Sequence, residues 1–217
     1  QHFSFFNQPA AAEANFHMFW TALRPLLLAY PEYLDKFDGI REGFSTVMQQ
    51  RLEKMWAAKL GLRTYDAQSL NELLRELLTL MVETSVDYTI FFRELSTIPK
   101  DIEPLKKSFY QKTSASLEKH WSHWLEKWQS LVGAGQNDEE LSQQMKRVNP
   151  KYTWREWLVV PAYQQAMQGD YTLVRELQEV LTQPYEEQSN VVNDKYYKPR
   201  PNEFFATGGV SHYSCSS

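Results

Sequence analysis

The 217-residue sequence has a single cysteine, Cys215, so no internal disulfide can staple it and its order must come from packing. An excess of one charge is also missing. The 23 basic residues are spread along the chain against 27 acidic ones, for a net charge of −4, which excludes the electrostatic footprint of a nucleic-acid or anionic-membrane binder. No apolar run approaches the roughly 18 residues that a membrane-spanning helix needs, and the first residues lack the basic segment of a signal peptide. A phosphate-cradling loop is absent: Gly208 and Gly209 stand alone, with no helix or lysine after them. No stretch alternates with the period of a strand, and no repeat of fixed period supports a solenoid. The first residue is Gln1 rather than an initiating methionine, which suggests an expressed piece or a cut product.

What is present is helix. Hydrophobic residues make up 42% of the chain, enough for a sizeable core in one or two domains. Residues 10–28 read as a helix with Phe16, Phe19, Trp20 and Leu23 on one face, bent at Pro25. Ile40, Phe44, Val47, Met48, Met55, Trp56 and Leu60 recur in steps of three and four, and Gly61 can end that helix. Ser69 and Glu72 form a capping box in front of a leucine-rich central helix over residues 70–95. Pro99 and Pro104 bracket a break, after which Leu117, Trp121, Trp124, Trp128 and Leu131 form a stripe that stops at Gly133. Asn137 caps a short helix. Pro150 halts it, and Thr153 with Glu156 forms another capping box for a helix starting near Trp154. Gly169 closes that helix and Asp170 caps the next, whose buried face is Leu173, Val174, Leu177, Val180 and Leu181 and which stops before Pro184. The expected fold class is all-α: a helical domain over residues 1–184, with the 149–182 hairpin packed on the central helix, and an irregular tail over 185–217. Tyr185, Tyr196, Tyr197, Phe204, Phe205 and Tyr213 are too many aromatics for a solvated linker, so the tail is expected to lie against the globule in places.

Few residues offer chemistry. His120 and His123 are one helical turn apart, a spacing that can place two imidazoles on a metal, yet no third ligand stands at a matching position. Trp121, Trp124 and Trp128 could form a stacking platform, but their spacing is that of any buried helix face. Glu83 and Asp87 make an i, i+4 carboxylate pair on the expected central helix, without a nucleophile beside it. Arg155 opposes the helix dipole in a first turn, so something must hold it: either Glu156 or Asp170 at the surface, or an internal clamp. Ser211, His212 and Cys215 are crowded into one short segment, which makes triad geometry improbable. Cys215, third from the end among serines, is placed for access rather than burial, and access permits redox chemistry.

Three stretches carry a family resemblance. They are NP (Asn149, Pro150) before a helix with Trp154 and Arg155, continuing into GDYTLVRELQEVL and PY; SFFNQPAAAEAN near the start; and the terminal SCSS. Together they resemble the selenoprotein O family, known in bacteria as YdiU proteins, while residues 30–148 match only loosely. The resemblance implies a protein kinase-like fold that transfers AMP from ATP to Ser, Thr or Tyr hydroxyls of proteins, with ATP and Mg²⁺ or Mn²⁺ bound by elements upstream of the NQP segment. This chain would then be the C-terminal part, with no catalytic, cofactor-binding or metal residue of its own. Its partners would be the upstream catalytic region and protein substrates, not nucleic acid or membrane. The resemblance gives Cys215 a redox role, paired with a cysteine near the catalytic core. It implies a cytoplasmic protein if bacterial and a mitochondrial one if eukaryotic. The competing reading is a helical protein-binding module without catalytic activity.

Overall fold

The structure, a computed structural model, describes residues 7–133 and 137–204. Among them the regular structure is helical, with one isolated antiparallel bridge between Val86 and Phe109. The helices are α1 (Gln8–Leu23), α2 (Pro31–Lys59), α3 (Ala67–Thr84), α4 (Tyr88–Leu95), α5 (Ala115–Val132), α6 (Asp138–Lys146), α7 (Glu156–Met167), α8 (Thr172–Thr182) and α9 (Asn190–Tyr196). The chain divides into two compact units, Gln1–Trp56 and Ala57–Ser217.

In the first unit, α1 and most of α2 pair through aromatic rings. Phe16 stacks on Phe44 with centroids 4.5 Å apart, and Trp20 on Phe37 at 6.1 Å. The Arg41 guanidinium covers the Trp20 ring at 4.9 Å, and Arg24 pairs with Asp38 at 3.2 Å. Pro25 does more than bend the helix. With Pro25 in its first turn, a 3-10 segment over Arg24–Leu27 replaces α-helix after Leu23, because the ring removes an N–H from the ladder. Phe19, expected on the inner face, is exposed.

The second unit holds the core. Leu70, Leu73 and Leu77 of α3 are fully buried, as are Trp121 and Trp128 of α5, with Trp124 nearly so. Each indole N–H has a specific acceptor: Trp121 donates to the Thr84 hydroxyl at 2.8 Å, Trp124 to the Leu73 carbonyl at 3.1 Å and Trp128 to the Leu60 carbonyl at 2.8 Å. The tryptophan stripe is therefore core, since a buried indole must satisfy its donor and a stacking platform would lie open.

The central helix is two helices. Ser85 takes a left-handed conformation (φ 54°), its N–H bonds back to the Val82 carbonyl at 3.2 Å and the Val86 N–H to Met81 at 3.0 Å. This is the Schellman closure that glycine usually makes, and Gly61 and Gly169 make the same pair of bonds at the ends of α2 and α7. With serine in that position, hydrophobic periodicity alone runs straight through the break. Two expected caps also differ. Asp66, not Ser69, caps α3, its carboxylate accepting from the Ser69 N–H at 2.8 Å. No capping box forms at Thr153: α7 begins at Glu156 with Arg155 as an N-cap residue that makes no side-chain cap bond.

The α7–α8 hairpin packs on α4, where Ile90, Ala162, Leu177 and Val180 share a buried cluster with Tyr152, Tyr196 and Tyr197. The last two come from the stretch expected to be irregular. There Ser189 caps α9 by accepting from the Val192 N–H at 3.3 Å, and the helix carries Tyr196 into the core. Residues 205–217, including Ser211, His212 and Cys215, lie outside the described residues.

Candidate functional site

The polar residues that the fold brings together inside the second unit form two linked clusters. The first is centred on Asp87. Because α3 ends at Thr84, Asp87 leaves the face of Glu83 and becomes the N-cap of α4, accepting from the Ile90 N–H at 3.1 Å. The expected carboxylate pair does not form: Glu83 is exposed and Asp87 is buried. Arg155 grips both Asp87 oxygens, at 2.5 and 2.9 Å, with both side chains largely removed from solvent. Of the two readings that its position allowed, the internal clamp is the one realised, and it explains an arginine at a helix start. The Tyr110 hydroxyl donates to Asp87 at 3.0 Å and accepts from the Arg200 N–H at 3.2 Å, so the same carboxylate also anchors the chain after α9. Burial pushes the Tyr110 hydroxyl above its usual range, and the neighbouring Asp87 charge adds to this.

The second cluster is centred on Arg93 and Asn149. Arg93, 3% exposed, donates to the backbone carbonyls of Lys146 and Asn149 at 3.1 Å each and to a Glu187 oxygen at 2.6 Å. Lys151 holds the other Glu187 oxygen at 2.5 Å. Burial alone would raise the Glu187 carboxyl, but hydrogen bonds and charge from Lys151 and Arg93 outweigh it and bring it down to about 2. Asn149 is fully buried. Its amide donates to the Lys59 carbonyl at 2.9 Å and the Ser96 hydroxyl at 3.0 Å, and its oxygen accepts from the Lys59 ammonium at 2.8 Å. That ammonium also lies 4.7 Å from the centroid of the Phe92 ring, and burial lowers its pKa to about 8. The Pro184 carbonyl accepts from the Lys151 and Tyr152 N–H groups at 2.8 and 3.1 Å. Tyr197 completes the cluster, its hydroxyl donating to Glu94 at 2.7 Å, with Lys107 and Lys151 4.5 and 4.9 Å from its ring.

These groups satisfy one another, which is the chemistry of a clamp rather than of a reaction centre. No nucleophile with a neighbouring base emerges from them. His120 and His123 line an open depression of about 390 Å³ with Glu76, Glu83 and Trp124, and Glu76 is engaged by Lys127 at 2.8 Å. Among the described residues, no three His, Cys, Asp or Glu side chains group as a metal site. No helix among them is long and apolar enough to cross a membrane. Arg93, Lys59, Lys151 and Glu187 were not singled out from sequence. Arg93 sits inside the apolar run FFREL, where a charged residue is a sign of internal pairing.

The fold and these clusters thus define an all-helical scaffold whose C-terminal hairpin is fastened by the buried Asp87–Arg155 pair and whose following strap is held by Arg93 and Lys151 on the exposed Glu187. The chain belongs to the SelO family: the family described as Protein adenylyltransferase SelO matches residues 1–182. Similar relatives include Protein nucleotidyltransferase YdiU of Flavobacterium johnsoniae, 32% identical over 224 residues that cover 99% of this chain and 42% of that protein. The protein of the same name from Aromatoleum aromaticum is 30% identical over 220 residues, covering 99% of this chain and 41% of that protein. The one from Pseudomonas aeruginosa is 31% identical over 218 residues, with the same 99% and 41% coverage. The chain therefore spans about two fifths of the length of the curated relatives it matches.

Proposed function

We propose that this chain is the helical C-terminal part of a protein adenylyltransferase, which moves AMP from ATP onto hydroxyl groups of other proteins and has a protein kinase-like fold when whole. The family match over residues 1–182 carries this reading, supported by the name nucleotidyltransferase borne by relatives that align with nearly all of the chain. Phosphate-transfer chemistry depends on positioned lysine and metal groups around the phosphates. In this reading the groups that position the phosphates lie in the remainder of the full-length protein. ATP with Mg²⁺ or Mn²⁺ belongs to the remainder of the full-length protein, and the part played here is scaffold. The clusters around Asp87 and Arg93 suit that part, because the largely buried Arg155–Asp87 pair fixes the hairpin where solvent competes little, while Arg93 and Lys151 hold the strap through the exposed Glu187.

The finer element of the proposal is a redox tail, in which Cys215 forms a reversible disulfide with a cysteine elsewhere in the full-length protein. The compartment follows from the source, cytoplasmic in a bacterium and mitochondrial in a eukaryote. Incubating the full-length protein and the 217-residue chain separately with ATP labelled on its α-phosphate, divalent metal and acceptor proteins tests the first element. Label transfer by the full-length protein and none by the chain is expected. Transfer by neither would remove the adenylyltransferase reading, and transfer by the chain would remove the scaffold reading. For Cys215, a thiol reagent that labels only denatured protein would mark it as a buried spectator.

A further inference from the structure

We draw no further inference here: the strongest candidate, the pocket of about 280 Å³ between the end of α6 and the strap, lined by Arg93, Lys146, Arg147, Tyr185 and Glu187, belongs to the cluster already described, in which Arg93 is spent on Glu187 and two backbone carbonyls, while Lys146 and Arg147 close α6 where the helix dipole alone accounts for cations.

Discussion

Replacing Asp87 by alanine removes four hydrogen bonds at once: two from Arg155, one from the Tyr110 hydroxyl and one from the Ile90 N–H. Breaking a buried ion pair from one side costs about 3–5 kcal/mol, because the remaining charge is stranded. Losing the N-cap of α4 adds about 1 kcal/mol, giving about 4–6 kcal/mol for Asp87→Ala. Arg155→Ala should cost less, about 3 kcal/mol, since the carboxylate keeps the Tyr110 and Ile90 donors. The double variant should cost little more than Asp87→Ala alone, so the coupling energy should be about 2 kcal/mol or more. Typical domain stabilities are about 5–15 kcal/mol, so the single variants are best read as shifts in urea midpoint followed by tryptophan fluorescence. Trp121, Trp124 and Trp128 report on the same core. Asp87→Asn separates cap from charge: it keeps an acceptor for the Ile90 N–H while losing the ion pair, and should fall between wild type and Asp87→Ala. If the two single-variant costs add to within about 0.5 kcal/mol in the double variant, the clamp contributes nothing specific and apolar contacts alone hold α7 on α4.

Three further outcomes follow from the same core. Lys59 has its pKa lowered to about 8 in the folded protein against an ordinary value of 10.5, so the unfolded chain binds the extra proton between those values. Stability should therefore rise with pH from about 8 to about 10.5, by at most about 3 kcal/mol, and Lys59→Met should flatten that segment of a denaturation-versus-pH curve. Trp128→Phe leaves the Leu60 carbonyl without its indole donor and should cost about 1–3 kcal/mol in the same urea assay. Gly61→Ala should be destabilising by more than about 1 kcal/mol, since φ is 71° and the new Cβ would stand 2.7 Å from the Met145 sulfur. A thermal melt that matches wild type would contradict that geometry.

The parts of the fold that were legible in the sequence are those encoded by single residues with strong local preferences. Gly61 and Gly169 end their helices in the left-handed conformation, and Asn137 caps α6, because each choice is made within a few residues of chain. The break at Ser85 was missed for the complementary reason. Serine carries no conformational warning, and the bonds that stabilise its positive φ come from Val82 and Met81, carbonyls any helix would offer. Helix α9 escaped because seven residues are too few to establish a period, although Ser189 before Val191 and Val192 was a readable cap. The clamp partners lie 68 residues apart for Asp87 with Arg155 and 94 for Arg93 with Glu187. An isolated charge has no periodicity, so its partner cannot be read from spacing. Only the oddity of the charge itself shows, at a helix start for Arg155 and inside the apolar run FFREL for Arg93.

Two of the places that carried the family resemblance, the NP pair at Asn149 and the PY pair at Pro184, are points where the chain crosses itself. Asn149 of the NP pair spends its amide on Lys59 and Ser96 and its oxygen on the Lys59 ammonium, joining the end of α2 to the end of α4. Pro184 of the PY pair offers its carbonyl to Lys151 and Tyr152, two and three residues beyond Asn149, so the two stretches meet across the hairpin. Glu187 then reaches both Arg93 and Lys151, closing the loop from the strap back to α4. An asparagine fits this crossing because it supplies two donors and an acceptor without a charge, and aspartate would place an acceptor against the Lys59 carbonyl and the Ser96 hydroxyl. Such residues are constrained by geometry as tightly as a catalytic group would be. A resemblance carried by Asn149, Pro150 and Pro184 is therefore explained by the packing of the hairpin and strap alone.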